Sequence, residues 1–184
     1  MTPQADLNPL LTTPRLRLEP QVAAHAPAML AVLADPRVHS YLPSNPPTDP
    51  EALRGRYERL ESRRSPDGSE LWLNWTVFRD SAALGTVQAT VHPAEHLADV
   101  AYVFAPAAWG QGYASEAMQA VLEHLRATLG VQLFRASIDT RNVASQRLAE
   151  RLGFVRVAEV KAADEFKGAL SDEFVYERTA APLG

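Results

Sequence analysis

The stretch from Val103 to Ala117, V-F-A-P-A-A-W-G-Q-G-Y-A-S-E-A, carries the strongest structural signal in this chain of 184 residues. An apolar run ends at Pro106, two glycines follow at Gly110 and Gly112, and a long helical pattern begins. Glycine permits positive φ and lets the backbone come close to a ligand. The first N–H groups of a helix are unpaired and carry the positive end of its dipole. This turn is therefore suited to hold a phosphate group.

Two better-known phosphate-binding patterns do not fit this stretch. A P-loop needs Gly-Lys-Ser/Thr, which is absent. The dinucleotide fingerprint would need Gly or Ala at Ser115, although Asp139 could serve as its distal acid. That fold also requires several β-α-β units, and this chain offers one. On the glycines alone, an ordinary strand-to-helix turn remains the alternative.

The segments on either side of the glycines predict the order β-α-α-β-β-β-α-β-α-β-β. This is an α/β (α+β) class with a mixed, mostly antiparallel central sheet of about seven strands and four helices. Residues 1–12 are predicted to be flexible, and one domain is predicted over residues 13–180. Strands are predicted at 15–19, 71–78, 84–91, 98–104, 133–138, 155–160 and 174–176, and helices at 24–34, from 49 to about 60, 113–128 and 144–152.

Composition limits the function classes. The chain has no cysteine, which excludes disulfides, thiolate metal sites and a cysteine nucleophile. Its net charge of −4 disfavours nucleic acid as a partner. No apolar run is long enough to span a membrane, and the first residues lack a signal peptide pattern. We therefore expect a cytoplasmic protein without a membrane partner.

Three sequence blocks together indicate a family. The loop Gly112-x-Ala114 resembles the acetyl-CoA loop of the GNAT N-acetyltransferases, Gln/Arg-x-x-Gly-x-Gly/Ala, with Trp109 at the Gln/Arg position. The string from Trp109 to Ala117 is similar to W-G-x-G-Y-A-x-E-A, which is frequent in the branch of the ribosomal-protein N-terminal acetyltransferases. The other two blocks also resemble that branch: Asn142-Val143-Ala144-Ser145 followed by Gly153-Phe154, and Thr13-Pro14-Arg15-Leu16-Arg17-Leu18.

The resemblance implies the GNAT fold, in which the fourth and fifth predicted strands splay apart to admit acetyl-CoA, the co-substrate. It implies that the strand before the loop pairs with the pantetheine arm, and that a backbone N–H near Phe104 or Ala105 polarises the thioester carbonyl. The pyrophosphate would lie on the N–H groups of residues 110 to 115, and no metal is needed. The implied cofactor-binding residues are Val103, Phe104, Ala105, Trp109, Gly110, Gln111, Gly112, Tyr113, Ala114, Ser115, Asn142 and Arg147.

The resemblance also implies direct attack of an amine on the thioester, which leaves two proton-transfer tasks. Ser145 matches the family serine that serves the departing thiolate, and its structural alternative is helix capping, while Asn142 is expected to cap that helix in either case. Asp164 falls where the ribosomal-protein branch has an acidic residue, often Glu, over the acceptor site. Asp99 on the central strand is the competing base. Either aspartate could instead be a solvated surface carboxylate.

The acceptor follows from the weakness of these bases. Deprotonating an α-amino group at pH 7 costs about 1 kcal/mol and a lysine about 4.6 kcal/mol. We therefore expect an acetyltransferase acting on a protein or peptide N-terminal α-amine, as a monomer or homodimer. One alternative is a small-molecule amine (aminoglycoside, polyamine or amino acid) as acceptor. The other is a non-catalytic acyl-CoA-binding module, which is favoured by Trp109 at the Gln/Arg position and by Asp164 in place of the family's glutamate.

A second motif, His92-Pro93-Ala94-Glu95-His96, has the spacing of the zinc-peptidase signature H-x-x-E-H. That signature requires a helix to bring both histidines to one metal. Here it falls in a short connection between two predicted strands, so we expect no zinc site.

Overall fold

The computed structural model describes residues 6–166 and 168–180, and its centre is one eight-stranded sheet in the order β1-β2-β3-β4-β5-β6-β8-β7. Neighbouring strands are antiparallel except for the parallel pair β5–β6. The strands are β1 Leu11–Thr12, β2 Arg17–Pro20, β3 Leu71–Arg79, β4 Ala82–His92, β5 Leu97–Phe104, β6 Leu133–Asp139, β7 Val155–Phe166 and β8 Ala169–Thr179. The helices are α1 Ala26–Leu33, α2 Pro50–Leu60, α3 Tyr113–Leu129 and α4 Val143–Arg151.

The predicted class and element order are confirmed, with one strand more than expected. The additional strand is β1, which lies in the segment predicted to be flexible. Asn8 is almost fully buried and donates a hydrogen bond to the carbonyl of Asn74, and the indole of Trp75 donates one to the carbonyl of Pro9. In residues 6–12 the structure thus differs from the prediction. The local sequence could not indicate this order, because the contacts that produce it join distant parts of the chain. Residues 1–5 lie outside the described residues.

The main core lies between one face of the sheet and the helices α3 and α4. The stripe predicted on α3, formed by Ala117, Val121 and Leu125, is fully buried. Helices α1 and α2 build a second, smaller cluster around Met29 and Tyr57. No helix in the described part of the chain is long and apolar enough to cross a membrane.

The parallel pairing between β5 and β6 is short, and the place where it ends determines where the candidate site lies. Only three residue pairs join the strands: Leu97 with Leu133, Ala98 with Phe134, and Asp99 with Arg135. Both strands continue beyond this point, to Phe104 and Asp139, so they diverge. The predicted splay of the two strands is confirmed.

The hairpin β7–β8 is much longer than predicted. Its strands run from Val155 to Phe166 and from Ala169 to Thr179, and they pair with each other between residues 155–166 and 169–177. The register shifts twice, between Arg156 and Ala158 and again between Val160 and Asp164. Each shift breaks the alternation of side chains on which strand prediction depends, which is why the sequence indicated shorter strands.

Candidate active site

A cleft of about 900 Å³ opens beside the diverging end of β5. Ten of the twelve predicted cofactor-binding residues line it, all except Ala105 and Gln111, and Ser145 lines it too. The segment between α1 and α2 closes one side through residues that the sequence analysis did not identify. The further lining residues are Arg37, Val38, Ser40, Tyr41, Leu42, Tyr102, Ala108, Ala144, Leu148 and Arg151.

The glycine loop at one end of the cleft has the conformation that the sequence predicted. Gly110 and Gly112 have φ of 73° and 80°, values that strain any residue with a side chain. Helix α3 starts at Tyr113, and no side chain caps its N-terminus. The first N–H groups of a 17-residue helix therefore face the cleft with the positive end of the dipole. An anionic group fits here.

The block around Arg15 supports this loop from behind. Arg15 donates to the backbone carbonyl of Gln111 at 3.0 Å and to the carboxylate of Glu116 at 2.6 Å. Thr13 donates to the same carboxylate at 2.6 Å. Gln111 itself points away, and its amide donates to the carbonyl of Ala107 at 2.7 Å. Two of the three sequence blocks are thus one hydrogen-bonded unit, and Gln111 belongs to its frame.

Backbone groups of β5 face the space left by β6. The N–H of Ala105 donates to the carbonyl of Leu84 on the β4 side at 2.8 Å. Backbone groups of successive residues point to alternate sides of a strand. The backbone of Val103 therefore also bonds toward β4, while the backbone N–H groups of Tyr102 and Phe104 point toward β6. The Phe104 carbonyl accepts a hydrogen bond from the half-exposed indole of Trp109 at 2.8 Å. The Phe104 N–H faces the opening. The N–H of Ala105, one of the two predicted donors, is already occupied.

Ser145 lies in the first turn of α4 and faces the cleft. Asn142, not Ser145, caps this helix, since its side-chain oxygen accepts from the Ser145 N–H at 3.1 Å. The hydroxyl of Tyr102 donates to Ser145 Oγ at 2.8 Å. Burial raises the pKa of Tyr102, opposed by the Ser145 hydrogen bond and the charge of Arg151. Tyr102 was missed, although the period of two does place it on the face of Val100 and Phe104.

Asp99 lies on the opposite face of β5 from Tyr102, because the two positions differ by an odd number of residues. It borders a small cavity of about 250 Å³ together with Arg135 and Ser137. Arg135 binds its carboxylate with two hydrogen bonds, at 2.6 and 2.8 Å, and His92 with one at 2.9 Å. Burial acts to raise the pKa of Asp99, but these bonds outweigh it and lower the pKa.

The histidines of the H-x-x-E-H block do not converge. His92 ends β4 and bonds Asp99, whereas His96 follows a short turn and takes a left-handed conformation. Among residues 6–166 and 168–180, no three His, Asp or Glu side chains form a group that could hold a metal ion.

Asp164 is exposed on β7 and lines neither cavity. It pairs with Ser171 of β8, so Glu173, two residues further on, shares its face. Burial raises the pKa of Glu173, and the nearby carboxylates of Asp164 and Asp139 raise it further. Ser137, which borders the small cavity, forms a hydrogen bond with Glu173. Glu173 was missed because only the strand register shows where it lies.

The register also shows which groups share a face of the sheet. Asp99 pairs with Arg135, and Asp139, four residues along β6, pairs with Glu173. Asp99, Ser137, Glu173 and Asp164 therefore lie on one face. Tyr102, which bonds Ser145, lies on the other face.

Comparison with known proteins gives both sequence relatives and fold relatives. Residues 15–155 match the family model of an acetyltransferase (GNAT) domain. The uncharacterized N-acetyltransferase p20 of Bacillus licheniformis is 25% identical over 167 residues, 90% of this chain and 93% of the relative. The uncharacterized N-acetyltransferase YnaD of Bacillus subtilis is 26% identical over 147 residues, 79% of this chain and 82% of the relative.

Two solved structures share the fold. RimL, a ribosomal L7/L12 alpha-N-protein acetyltransferase in complex with coenzyme A, superposes with a TM-score of 0.83 at 22% identity, covering 92% of this chain and 97% of RimL. The ribosomal-protein-S5-alanine acetyltransferase from Vibrio fischeri gives a TM-score of 0.81 at 17% identity, covering 92% and 96% of the two chains. At these identities the likeness concerns the fold alone.

Proposed function

Because this chain belongs to the GNAT family of N-acetyltransferases, we propose that it acetylates the α-amine at the N-terminus of a protein or peptide. The observation that carries the proposal is one cleft that contains an uncapped helix end, the free edge of β5 and the Ser145 hydroxyl. Two fold relatives named for N-terminal or alanine acetylation of ribosomal proteins support the choice of acceptor.

The cleft fits acetyl-CoA, which supplies the activated acetyl thioester when bound. The N–H groups from Gly110 to Ser115 hold the pyrophosphate, a local arrangement that needs no basic surface on a chain with net charge −4. The edge of β5 aligns the pantetheine arm, and the Phe104 N–H donates to the thioester carbonyl. Arg147, a cation lining the same cleft, binds anionic parts of the cofactor.

Ser145 serves the departing thiolate, because its hydroxyl faces the cleft from the N-terminus of α4. The helix dipole there also favours negative charge.

Asp164 and its neighbour Glu173 are the proposed base. Glu173 suits this role, since burial and the nearby carboxylates raise its pKa above the ordinary value of a glutamate. Asp99 is the less suitable alternative, because Arg135 and His92 occupy its carboxylate and lower its pKa.

A panel of acceptors tests the proposal. Purified protein, acetyl-CoA and two short peptides are compared by the rate of thiol release. One peptide has a free Ser or Ala N-terminus and no lysine, and the other has a blocked N-terminus and one internal lysine. We expect the first to be acetylated faster, by the argument from amine pKa.

Faster acetylation of the lysine peptide would refute an N-terminal acceptor. Turnover with aminoglycosides or polyamines but not with peptides would identify a small-molecule enzyme. Acetyl-CoA binding, measured as a thermal shift, without turnover on any amine would identify a binding module.

A further inference from the structure

Tyr102 lines the cleft, yet the proposed function gives it no role. Its phenol oxygen is 2.8 Å from Ser145 Oγ, and its ring packs edge-on against Phe104 at 6.1 Å between centroids. A serine hydroxyl carries one hydrogen. Because Tyr102 donates to the serine oxygen, that hydrogen points elsewhere, and within the described chain no acceptor for it is found. It is free to reach a group in the cleft.

The acidities of the two hydroxyls suit them to different steps of the proton transfer. An aliphatic hydroxyl is a much weaker acid than a thiol, whereas a phenol, with a pKa near 10, is close to a thiol near 8.5. Proton transfer is most effective between groups of similar pKa. Ser145 is therefore well placed to reach the thiolate, and Tyr102 is the better source of the proton.

Arg151 supplies a charge that this role requires. It lines the same cleft, and the described residues include no hydrogen-bond or ion-pair partner for it. Its charge favours the ionised form of Tyr102, against the effect of burial. A nearby unpaired cation stabilises a phenolate that would otherwise be costly in a buried position.

We propose that Tyr102 supplies, through Ser145, the proton taken up by the departing thiolate, while Arg151 balances the negative charge left on the phenol. The inference rests on the proposed function. As the carbon–sulfur bond breaks, its electron pair stays on sulfur. The Ser145 hydroxyl proton passes to sulfur, the Tyr102 proton passes to the Ser145 oxygen, and the phenolate regains a proton from solvent in the open cleft. Tyr102 acts through Ser145 and is thus a positioning residue.

Tyr102→Phe removes the hydroxyl and keeps the ring. We expect kcat to fall about tenfold or more while KM for acetyl-CoA changes less than about twofold, the pattern of an interaction made only during the reaction. The matched control is Tyr57→Phe. That variant also removes a tyrosine hydroxyl, but from a ring buried in the α1–α2 cluster and not in the cleft, so both constants should stay unchanged.

A second measurement needs no turnover. In the protein saturated with CoA, the thiol is titrated by the ultraviolet absorbance of its thiolate. In the proposed relay the Ser145 hydroxyl stabilises the thiolate, and Tyr102 and Arg151 in turn support Ser145. We therefore expect Tyr102→Phe and Arg151→Gln each to lower the ionisation constant of the bound thiol, the first by about tenfold. Tyr57→Phe should leave it unchanged.

An unchanged thiol titration in Tyr102→Phe overturns the proton relay, whether or not kcat falls, since a loss of packing alone would not alter the thiol. Failure of the wild-type protein to bind CoA would overturn the proposed function instead, and the titration reports that outcome before any variant is compared.

Discussion

Replacing Gly85 with alanine should disturb the strand edge on which the proposed cofactor binding depends. Gly85 lies on β4 directly opposite Phe104 of β5. A Cβ at this position would lie 2.1 Å from the Val103 carbonyl oxygen and 2.8 Å from the Phe104 Cα. Since unstrained contacts between heavy atoms lie near 3.5 Å, β5 would have to move by about 1 Å or more.

The size of the effect follows from this overlap. Inserting one carbon into a packed interior costs about 1–3 kcal/mol. For a chain of this length each kcal/mol lowers Tm by about 2–4 °C, so we expect a Tm about 2–12 °C below that of the wild type. Because the displaced residue is Phe104, whose N–H faces the cleft, KM for acetyl-CoA should also rise about tenfold.

Thermal unfolding and steady-state kinetics measure both effects. Gly55→Ala in α2 is the matched control, since the nearest atom to its added Cβ is Arg59 Nη1 at 3.8 Å. In a helix interior, that change should stabilise the protein by about 0.5–1 kcal/mol. A Gly85→Ala variant with wild-type Tm and KM would refute the claim that β4 holds β5 in its cofactor-binding position.

Two further variants test the base and the loop. Wild-type activity should fall as the pH drops through the raised pKa of Glu173, because only the carboxylate form accepts a proton. Glu173→Gln should abolish this fall at acidic pH and lower kcat about 100-fold. Glu165→Gln, which changes an exposed carboxylate on β7, should keep the wild-type pH profile and kcat. Arg15→Met removes the hydrogen bond to the Gln111 carbonyl and should raise KM for acetyl-CoA about tenfold with kcat nearly unchanged. Arg17→Met, which removes a partly exposed ion pair with Glu19 on β2, should leave KM at its wild-type value.

The sequence indicated the parts of the site that depend on local structure. A strand stopped by proline, two glycines and a helix start are set by neighbouring residues, so Gly110 and Gly112 were placed with their conformation. Asn142 as the cap of α4 is also a local feature. The splay of β5 and β6 is not local, and it was expected only from the resemblance of three blocks to one family.

The missed residues depend on pairings between distant segments. Tyr102 meets Ser145 across 43 positions in sequence, a contact that no periodicity shows. Glu173 approaches Asp164 in a hairpin whose register shifts twice, so counting along the chain cannot place Glu173. Asp99 was named as a competing base from the resemblance, and its contact with Arg135, 36 positions away in sequence, could not be read from the local pattern.

The geometry of β5 accounts for how the proposed chemistry is divided. Acetyl-CoA would enter between β5 and β6, where the N–H of Phe104 is free, so the thioester would lie in the plane of the sheet. Successive side chains of a strand point to opposite faces. In the proposed reaction Tyr102 and Ser145 would thus meet the departing sulfur from one face, and Asp164 and Glu173 would approach the amine from the other. The sheet itself would then keep the proposed proton donor and the proposed proton acceptor apart until the acetyl group is transferred.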